Sequence, residues 1–328
     1  MFNDKNVLVT GGTGLIGRPL VEMLIERGAR VRIASLDDPS RAHPKAEFHR
    51  VNLMNFNNCK EVCDGMDYVF NLVGIKGSPA MTAKKPASFF VPTITFSINM
   101  MEAARQCGVK RYLFTSSIGV YSPAEVFYED DVWKTFPSEN DRFAGWAKRM
   151  GELQADAYRI EYGWDGVNIV RPANVYGAYD NFDPNNAMVI PSLIKRAIDG
   201  ENPLTVWGDG SPVRDFIHAR DVAQGMILVM EKNPQKPVNL GSGVGVTIRQ
   251  IVDVIMDNME VKPKVVWDAQ KPTGDKKRLM DISRAHSIGF ASGVSLAEGV
   301  KETMNWYRAN KDKAEKRYNV FTQEGKFV

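Results

Sequence analysis

The sequence predicts an α/β fold in which a doubly wound parallel sheet is followed by a smaller mixed α/β domain. First, short apolar runs alternate with helix-like stretches through the first half of the chain, which is typical of parallel sheets covered on both faces. Second, the stretch VLVTGGTGLIG places three glycines between the first apolar run and the first helical pattern. A strand, a glycine turn and a helix in this order are typical of the first βαβ unit of a Rossmann fold.

The elements of the first half follow one another regularly. Strands are expected at residues 6–10, 30–35, 67–74, 110–117 and 167–172. Helices are expected between them at residues 15–27, 55–64, 94–107 and 144–161. Because each strand is separated from the next by a connection long enough for a helix, parallel pairing is favoured.

The chain changes character after about residue 178, where YDNFDPNNAMVIP is polar and rich in turn residues. The later elements are expected at 190–199 and 220–231 (helices) and at 204–207 and 237–243 (strands). The last of these strands is expected to rejoin the main sheet. The sequence thus predicts a dinucleotide-binding domain over residues 1–177, with a returning segment at about 215–245, and a second domain over 178–328.

Composition excludes several classes of partner. The 328 residues carry a net charge of +3 with scattered basic residues, so no nucleic-acid partner is expected. No apolar run approaches the roughly 20 residues that cross a bilayer, so no membrane association is expected. Three cysteines, Cys59, Cys63 and Cys107, are too few for a disulfide framework and favour the cytoplasm. With four histidines in the chain, no metal site is expected.

The glycine turn supplies the first candidate cofactor residues. Gly11, Gly14 and Gly17 permit a tight turn and allow the backbone to approach a pyrophosphate. The start of the following helix, with Leu15 and Ile16, supplies amide donors and a partial positive charge for the phosphates. The sequence therefore predicts a bound dinucleotide at this turn.

The choice of dinucleotide depends on the residues after the second strand. Ser35 stands where an acid that binds the adenosine ribose is usual, but Asp37 and Asp38 follow closely. Arg41 lies further on and is the kind of residue that accepts a 2′-phosphate. Because two carboxylates would repel that phosphate, the sequence favours NAD, with NADP left open.

Further cofactor contacts are expected after other strands of the sheet. Asn52 and Leu53 follow the next strand-like run and are candidate adenine contacts, or else a plain strand–helix junction. Leu72, Val73 and Gly74 end the run that begins at residue 67 and are also expected to line the cofactor.

Four stretches occur in this order at familiar distances: the three-glycine turn, FTSSIGVYS, the lysine of AGWAKRMGE, and RPANVYG. Together they resemble the extended short-chain dehydrogenase/reductase family, which includes the nucleotide-sugar epimerases and dehydratases. The stretches NVYGAYDNFDPNNAMVIPSLIKR, VWGDGSPVRDFIHARDVA and KPTGDKKRLMDISR look most like the GDP-fucose synthases within it. The resemblance covers nearly the whole chain. It implies an NAD(P) cofactor and a nucleoside-diphosphate sugar as substrate, a GDP-sugar being favoured.

The resemblance implies a catalytic serine, tyrosine and lysine. Carried over, Ser117 binds the reacting oxygen, and Lys148 holds the nicotinamide ribose and lowers the tyrosine pKa. The tyrosine position is Ala144, which has no ionisable group. Either the alanine is natural, and Ser117, Tyr179 or a water near Lys148 handles the proton, or it is a Tyr→Ala replacement that traps substrate. Pro172 is implied to border the nicotinamide.

Other positions depart from the specialised members of the family. Gly119 and Met188 stand where GDP-fucose synthases carry a cysteine and a histidine for epimerisation, and neither residue moves protons. Ile118 and Gly119 follow Ser117 where the 4,6-dehydratases carry an Asp-Glu pair. What remains is redox at one sugar carbon, or 4-epimerisation by oxidation and re-reduction. The alternative is a protein that binds a dinucleotide or nucleotide sugar without turnover.

Substrate contacts are implied by the same resemblance, since the planar fork of arginine suits a diphosphate. The implied substrate residues are Ser117, Asn174, Val189, Arg196, Trp207, Arg214 and Arg278, with Lys276 as an alternative to Arg278. Trp207 is equally consistent with a half-buried strand aromatic, and Arg214 with a surface ion pair. Helices 94–107 and 144–161 are implied to form a four-helix bundle across the two-fold axis of a homodimer, although the Met and Leu residues at helical spacing on them are equally consistent with ordinary core packing.

Overall fold

The structure is a computed structural model that describes residues 1–75, 77, 79–183, 186–271 and 274–314. The strands are β1 (Asn6–Thr10), β2 (Arg30–Ser35), β3 (Glu47–Arg50), β4 (Tyr68–Asn71), β5 (Arg111–Thr115), β6 (Val126–Phe127), β7 (Val167–Pro172), β8 (Asn174–Tyr176), β9 (Leu204–Trp207), β10 (Val213–His218), β11 (Val238–Leu240), β12 (Gly245–Thr247), β13 (Val265–Asp268) and β14 (Lys277–Met280). The helices are α1 (Gly17–Glu26), α2 (Phe56–Cys63), α3 (Pro79–Lys84), α4 (Pro86–Gln106), α5 (Arg142–Tyr162), α6 (Val189–Ile198), α7 (Ala219–Lys232), α8 (Ile248–Asp257), α9 (Ser283–Ser287), α10 (Leu296–Ala309) and α11 (Lys311–Ala314).

The main sheet has seven strands in the order β11-β7-β5-β4-β1-β2-β3, and all the pairings are parallel. Every residue of β7 is buried, because helices cover the sheet on both faces. The predicted α/β class with a doubly wound parallel sheet is therefore confirmed. The carboxyl ends of the strands meet at one edge, where ligands of such sheets bind.

Two apolar layers hold the helices against this sheet. On one face, Leu20 and Leu24 of α1 pack with Met226 and Met230 of α7. On the other face, α2, α4 and α5 contribute a second cluster, which includes Met100. Helices α4 and α5 lie side by side, so the helix that carries Lys148 is supported along its length.

Several boundaries differ from those that the sequence predicts, and the start of α4 differs most. Helix α4 begins at Pro86, not at residue 94, and continues through Pro92, which lacks an amide hydrogen and ordinarily ends a helix. The run predicted as a strand over 67–74 is a strand only over Tyr68–Asn71. It ends there because the next two amides donate hydrogen bonds of 3.0 Å to the side-chain Oγ1 of Thr10 instead of a neighbouring strand.

The second half of the chain adds further sheets. Strands β12, β10, β14 and β6 form one of them, and β8 pairs with β10. Strand β9 pairs with β13, while β11 lies beside β7 in the main sheet. A third apolar cluster joins α6, α8 and α10 to this part. Within the described ranges, no helix is both long and apolar enough to span a membrane.

Candidate active site

The glycine turn between β1 and α1 is closed by its own backbone. Gly11 has φ +67°, a conformation that glycine adopts at little cost, and its carbonyl accepts a hydrogen bond from the amide of Gly14. A Cβ on Gly17 would lie 2.2 Å from the Gly11 carbonyl oxygen, so only glycine permits α1 to begin this close to the turn. Leu15 and Ile16 precede the helix, in whose first turn the amide of Arg18 donates to the carbonyl of Gly14 and Pro19 has no amide hydrogen. This cradle fits a pyrophosphate.

A polar network connects the turn to the end of β2. Thr13 Oγ1 donates to Oδ2 of Asp37 at 2.7 Å and lies 3.1 Å from Oγ of Ser35. Arg41 approaches the same carboxylate at 3.8 Å, and both of these side chains are largely buried. Asp38 instead accepts from the amide of Ser40 at the start of a short 3-10 turn. The two acids that the sequence associates with the ribose therefore have different surroundings.

The remaining cofactor candidates lie at the ends of other main-sheet strands. Asn52 is half-buried, its Oδ1 accepts from the amide of Met54, and its carbonyl accepts from Asn58, so it forms the strand–helix junction. Leu53 is buried beside it. Pro172 is the buried last residue of β7.

Leu72 and Val73 lie at the carboxyl edge of the sheet because their amides bind Thr10. Gly74 follows and is exposed, and the position of a Cβ on it would be 4.0 Å from Nζ of Lys148. The segment after β4 and the lysine of α5 therefore border the same space.

Lys148 points from α5 to the end of β5. Its Nζ donates a hydrogen bond of 2.8 Å to the carbonyl of Thr115 and lies 5.2 Å from the centre of the Phe114 ring. Burial lowers the pKa of Lys148 to about 8, against the opposing influence of Glu152. The amine thus titrates close to neutrality.

Ser117 lies two residues beyond β5, and its Oγ accepts a hydrogen bond of 3.1 Å from the amide of Gly119. Helix α5 approaches this segment closely, because a Cβ on Gly145 would lie 2.4 Å from the Gly119 carbonyl oxygen. Ala144 is half-buried and packs with Phe89 in a small apolar cluster. Ser117 and Lys148 therefore both lie at the end of β5, and position 144, one turn before Lys148 on α5, carries only a methyl group.

Two arginines face each other in the second sheet. Arg214 of β10 and Arg278 of β14 are register partners, and both are half-buried. Burial and the neighbouring Arg278 lower the pKa of Arg214. Arg278 is held by Asp141 at 2.7 Å and by Asp275 at 3.6 Å. Paired guanidinium groups of this kind suit a diphosphate.

The other substrate candidates are more dispersed. Asn174 donates from Nδ2 to the carbonyl of Asp215, which fixes β8 on β10. Trp207 ends β9 with 56% of its surface exposed, and Val189 is the half-buried first residue of α6. Lys276 is exposed.

Arg196 is engaged elsewhere, in contacts that the sequence does not suggest. Its guanidinium binds both carboxylate oxygens of Glu201, at 2.7 and 2.5 Å, and the carbonyl of Thr205. These contacts belong to the α6–β9 connection, and the structure does not bring Arg196 to the Arg214–Arg278 pair among the described contacts. Tyr179 lies 5.5 Å from the Arg18 guanidinium and packs on Trp306.

Two residues at the site were missed from the sequence. Thr13 ties the glycine turn to Asp37, and Asp141 binds Arg278 across 137 residues of chain. Asp141 directly precedes α5, but no local pattern in the sequence shows that Arg278 is its partner. No group of three or more His, Cys, Asp or Glu side chains suited to a metal ion is found in the described part of the chain.

Comparison with known proteins decides the family. The model of the NAD dependent epimerase/dehydratase family matches residues 7–241. The chain belongs to this family. GDP-L-fucose synthase 1 of Arabidopsis thaliana is 30% identical over 94% of this chain and 95% of its own length. This family uses a nicotinamide dinucleotide, which the glycine cradle fits.

Solved structures of epimerases have the same fold as this chain. An epimerase from Methanothermobacter thermautotrophicus has a TM-score of 0.85 at 25% identity, covering 96% of this chain and 95% of that one. The UDP-glucose 4-epimerase of Thermotoga maritima, solved with UDP-glucose, has a TM-score of 0.79 at 27% identity, covering 93% and 99%. Epimerase/dehydratase relatives of this chain thus include enzymes of nucleotide sugars.

Proposed function

We propose that this epimerase/dehydratase family member catalyses hydride transfer at one carbon of a nucleoside-diphosphate sugar, as net redox or as 4-epimerisation. The observation that supports the proposal is that Ser117 follows β5 and that Lys148 donates to the carbonyl of Thr115, the last residue of β5, so that both lie at the carboxyl edge of the main sheet. When bound, the nicotinamide dinucleotide supplies the hydride acceptor or donor. The site then needs only to orient the sugar and to move one proton.

Different residues of the chain would hold the dinucleotide and bind the reacting oxygen of the sugar. Lys148 Nζ, fixed on the Thr115 carbonyl, is placed to hold the ribose of the dinucleotide near the Leu72–Gly74 segment. Ser117 offers a hydroxyl to the reacting oxygen. Ala144 offers no group that exchanges protons, so the usual tyrosine chemistry does not operate.

One relative supports a GDP-sugar as the substrate, and side chains of this chain fit the diphosphate and base of a nucleoside-diphosphate sugar in general. The Arabidopsis relative is a GDP-L-fucose synthase, and it matches nearly the whole of this chain. Arg214 and Arg278 form a paired cation for the diphosphate, and the exposed ring of Trp207 offers a flat surface for a base. A UDP-sugar is the second candidate, because the Thermotoga enzyme was solved with UDP-glucose.

We further propose a homodimer formed by α4 and α5. The two helices pack side by side and expose apolar side chains, among them Ile98 on α4 and Leu153 and Ile160 on α5. An exposed apolar stripe of this kind is typical of an interface. Sedimentation should show a dimer that Leu153→Glu with Ile160→Glu converts to a monomer.

The unpaired Cys59 and Cys63, both buried thiols, favour a reducing compartment such as the cytoplasm.

A binding protein without turnover is the competing function, and Ala144 is the observation that favours it. Purified protein with NAD or NADP is mixed with GDP- and UDP-sugars, and absorbance is followed at the band of the reduced nicotinamide. We expect a change with at least one GDP-sugar, and none with Ser117→Ala and Lys148→Met together. Nucleotide-sugar binding without any hydride transfer would favour the binding protein.

A further inference from the structure

Asp141 joins the helix of Lys148 to the second sheet. It directly precedes α5, three positions before Ala144. Its Oδ2 accepts a hydrogen bond of 2.7 Å from Nη2 of Arg278, and the side chains of Arg278 and Asp141 are 14% and 23% exposed. A charge-assisted bond between groups withdrawn from water is strong. The carboxylate is therefore held at the boundary between the dinucleotide side and the diphosphate side of the site.

The side chains of Asp141 and Ser117 border one space beside Gly119. A Cβ built on Gly119 would lie 3.5 Å from Ser117 Oγ and 3.6 Å from Asp141 Cγ. The methyl-sized space that glycine leaves open is therefore within contact distance of both side chains. An oxygen bound to Ser117 in this gap is within reach of the carboxylate as well.

Arg278 connects this carboxylate to substrate binding. Its guanidinium is shared between Asp141 and Asp275, and it lies in register with Arg214. A diphosphate that binds the two arginines competes with Asp141 for the same Nη2 donor. The displaced carboxylate can then turn toward the space beside Gly119, which Ser117 also borders.

We propose that Asp141 takes the part of the absent tyrosine: the substrate diphosphate releases its carboxylate from Arg278, and the carboxylate then exchanges the proton of the sugar hydroxyl bound by Ser117. This inference rests on the proposed function. In the oxidative direction the hydroxyl O–H bond breaks and its proton passes to Asp141. The hydride of the same carbon leaves to the oxidised nicotinamide dinucleotide, and a carbonyl remains. In re-reduction the protonated Asp141 returns the proton to the carbonyl oxygen.

Lys148 is less suited to accept this proton, although its pKa of about 8 is close to neutrality. Its Nζ already donates to the carbonyl of Thr115, and as an ammonium it has no lone pair to receive a proton. Holding the ribose requires a donor, which the lysine supplies. A group that accepts a proton needs a free lone pair, which an ionised carboxylate has.

The experiment compares the unmodified chain with Asp141→Asn, Asp141→Glu and Asp275→Asn. In single-turnover hydride transfer, Asp141→Asn should lower the rate at least about 100-fold, and Asp141→Glu should recover part of the loss. Asp275→Asn, which removes the other carboxylate on Arg278, should lower the rate less than about tenfold. In calorimetric titration with GDP and no dinucleotide, both Asn variants should bind roughly three- to tenfold more tightly, because Arg278 is freed.

Gly119→Ala provides a test that leaves every charge in place. The added Cβ meets its neighbours at 3.4–3.6 Å, which is ordinary contact, so the fold should hold. It should slow hydride transfer about tenfold or more by filling the gap, with unchanged GDP affinity. This variant carries the test if Asp141→Asn does not fold.

The outcomes separate the two proposals. Hydride transfer that survives in Asp141→Asn or in Gly119→Ala would overturn the role of Asp141 and leave the proposed function standing. An unchanged GDP affinity in Asp141→Asn would overturn the displacement by diphosphate. An unmodified chain that transfers no hydride with any nucleotide sugar would instead remove the proposed function, and this inference with it.

Discussion

Arg171 and Glu152 form a two-pronged ion pair beneath the active site. Nε and Nη2 of the arginine donate to Oε1 and Oε2 of the glutamate at 2.9 and 2.6 Å, and both side chains are 1% exposed. Ser116, next to Ser117, donates to the same carboxylate at 2.5 Å. The arginine also reaches the hydroxyl of Tyr121. The pair thus fixes β7, α5 and the end of β5 relative to one another.

Removal of one partner of the Arg171–Glu152 ion pair should lower the free energy of unfolding far more than replacement of both partners. Glu152→Leu leaves a buried guanidinium without its counter-charge and should lower the free energy of unfolding by about 3–5 kcal/mol. The double variant Glu152→Leu with Arg171→Met should recover most of that loss, because an apolar pair of similar volume has no desolvation penalty. Urea titration of the three chains measures this. A double variant as unstable as the single one would contradict the argument.

Gly17→Ala should damage the fold and the cofactor site together. Its Cβ would lie 2.2 Å from the backbone oxygen of Gly11, so α1 must shift, at a cost of about 1–3 kcal/mol. Dinucleotide affinity, measured by fluorescence titration, should fall at least about tenfold because the helix amides move with α1. Gly293→Ala is the matched control, since its nearest neighbour would be 3.8 Å away. Tight binding by Gly17→Ala would show that the turn does not hold the dinucleotide.

The fold could be predicted from the sequence because its signals are local. Each central strand is a short apolar run next to a helix, and the glycine turn marks the first of them. Helix α4 begins eight residues before the start that the sequence predicts, because its buried face, with Phe89 and Phe96, outweighs the one hydrogen bond that Pro92 cannot make. The short strands of the second sheet carry too few residues for periodicity to reveal them.

The site was predictable only where its residues lie in motifs. Ser117 and Lys148 are in the stretches that carry the family resemblance, and both lie at the carboxyl end of β5. Arg196 has the right charge, but Glu201 and the Thr205 carbonyl hold it, and no local pattern reveals that pairing. Asp141 was missed for the same reason, because its partner lies 137 residues away.

His218 should make stability depend on pH. The His218 side chain is 2% exposed, and burial lowers its pKa to about 4. The nearby Arg220 lowers the pKa further. Glu302 approaches His218 at 3.9 Å, but it is bound by Arg220. The unfolded histidine binds its proton near pH 6.5, so the unfolded state gains protons first. The contribution to stability is therefore complete above about pH 6.5 and is lost as the pH falls toward 4, by up to about 3 kcal/mol.

The variant His218→Asn isolates this contribution. Asparagine can still accept the hydrogen bond that Nδ1 receives from the amide of Arg220 at the start of α7, but it does not titrate. Urea titrations at several pH values should show that the unmodified chain loses stability faster than the variant between pH 6.5 and 4. Parallel curves over that range would mean that the histidine is protonated in the folded state.

The variant Ala144→Tyr tests whether the alanine at position 144 replaces a catalytic tyrosine or is compatible with proton exchange by another residue. Ala144 packs against Phe89, as Ile75 and Met81 also do, so a phenol at this position must displace apolar neighbours or turn toward the site. If Asp141 exchanges the proton, the new ring obstructs the sugar, and kcat should fall or stay within about threefold of the original value. Ala144→Ser adds a hydroxyl without that bulk and is the control for polarity alone. A rise in kcat of about 100-fold or more would instead mean that the alanine replaces a catalytic tyrosine, and that Asp141 serves only to hold Arg278.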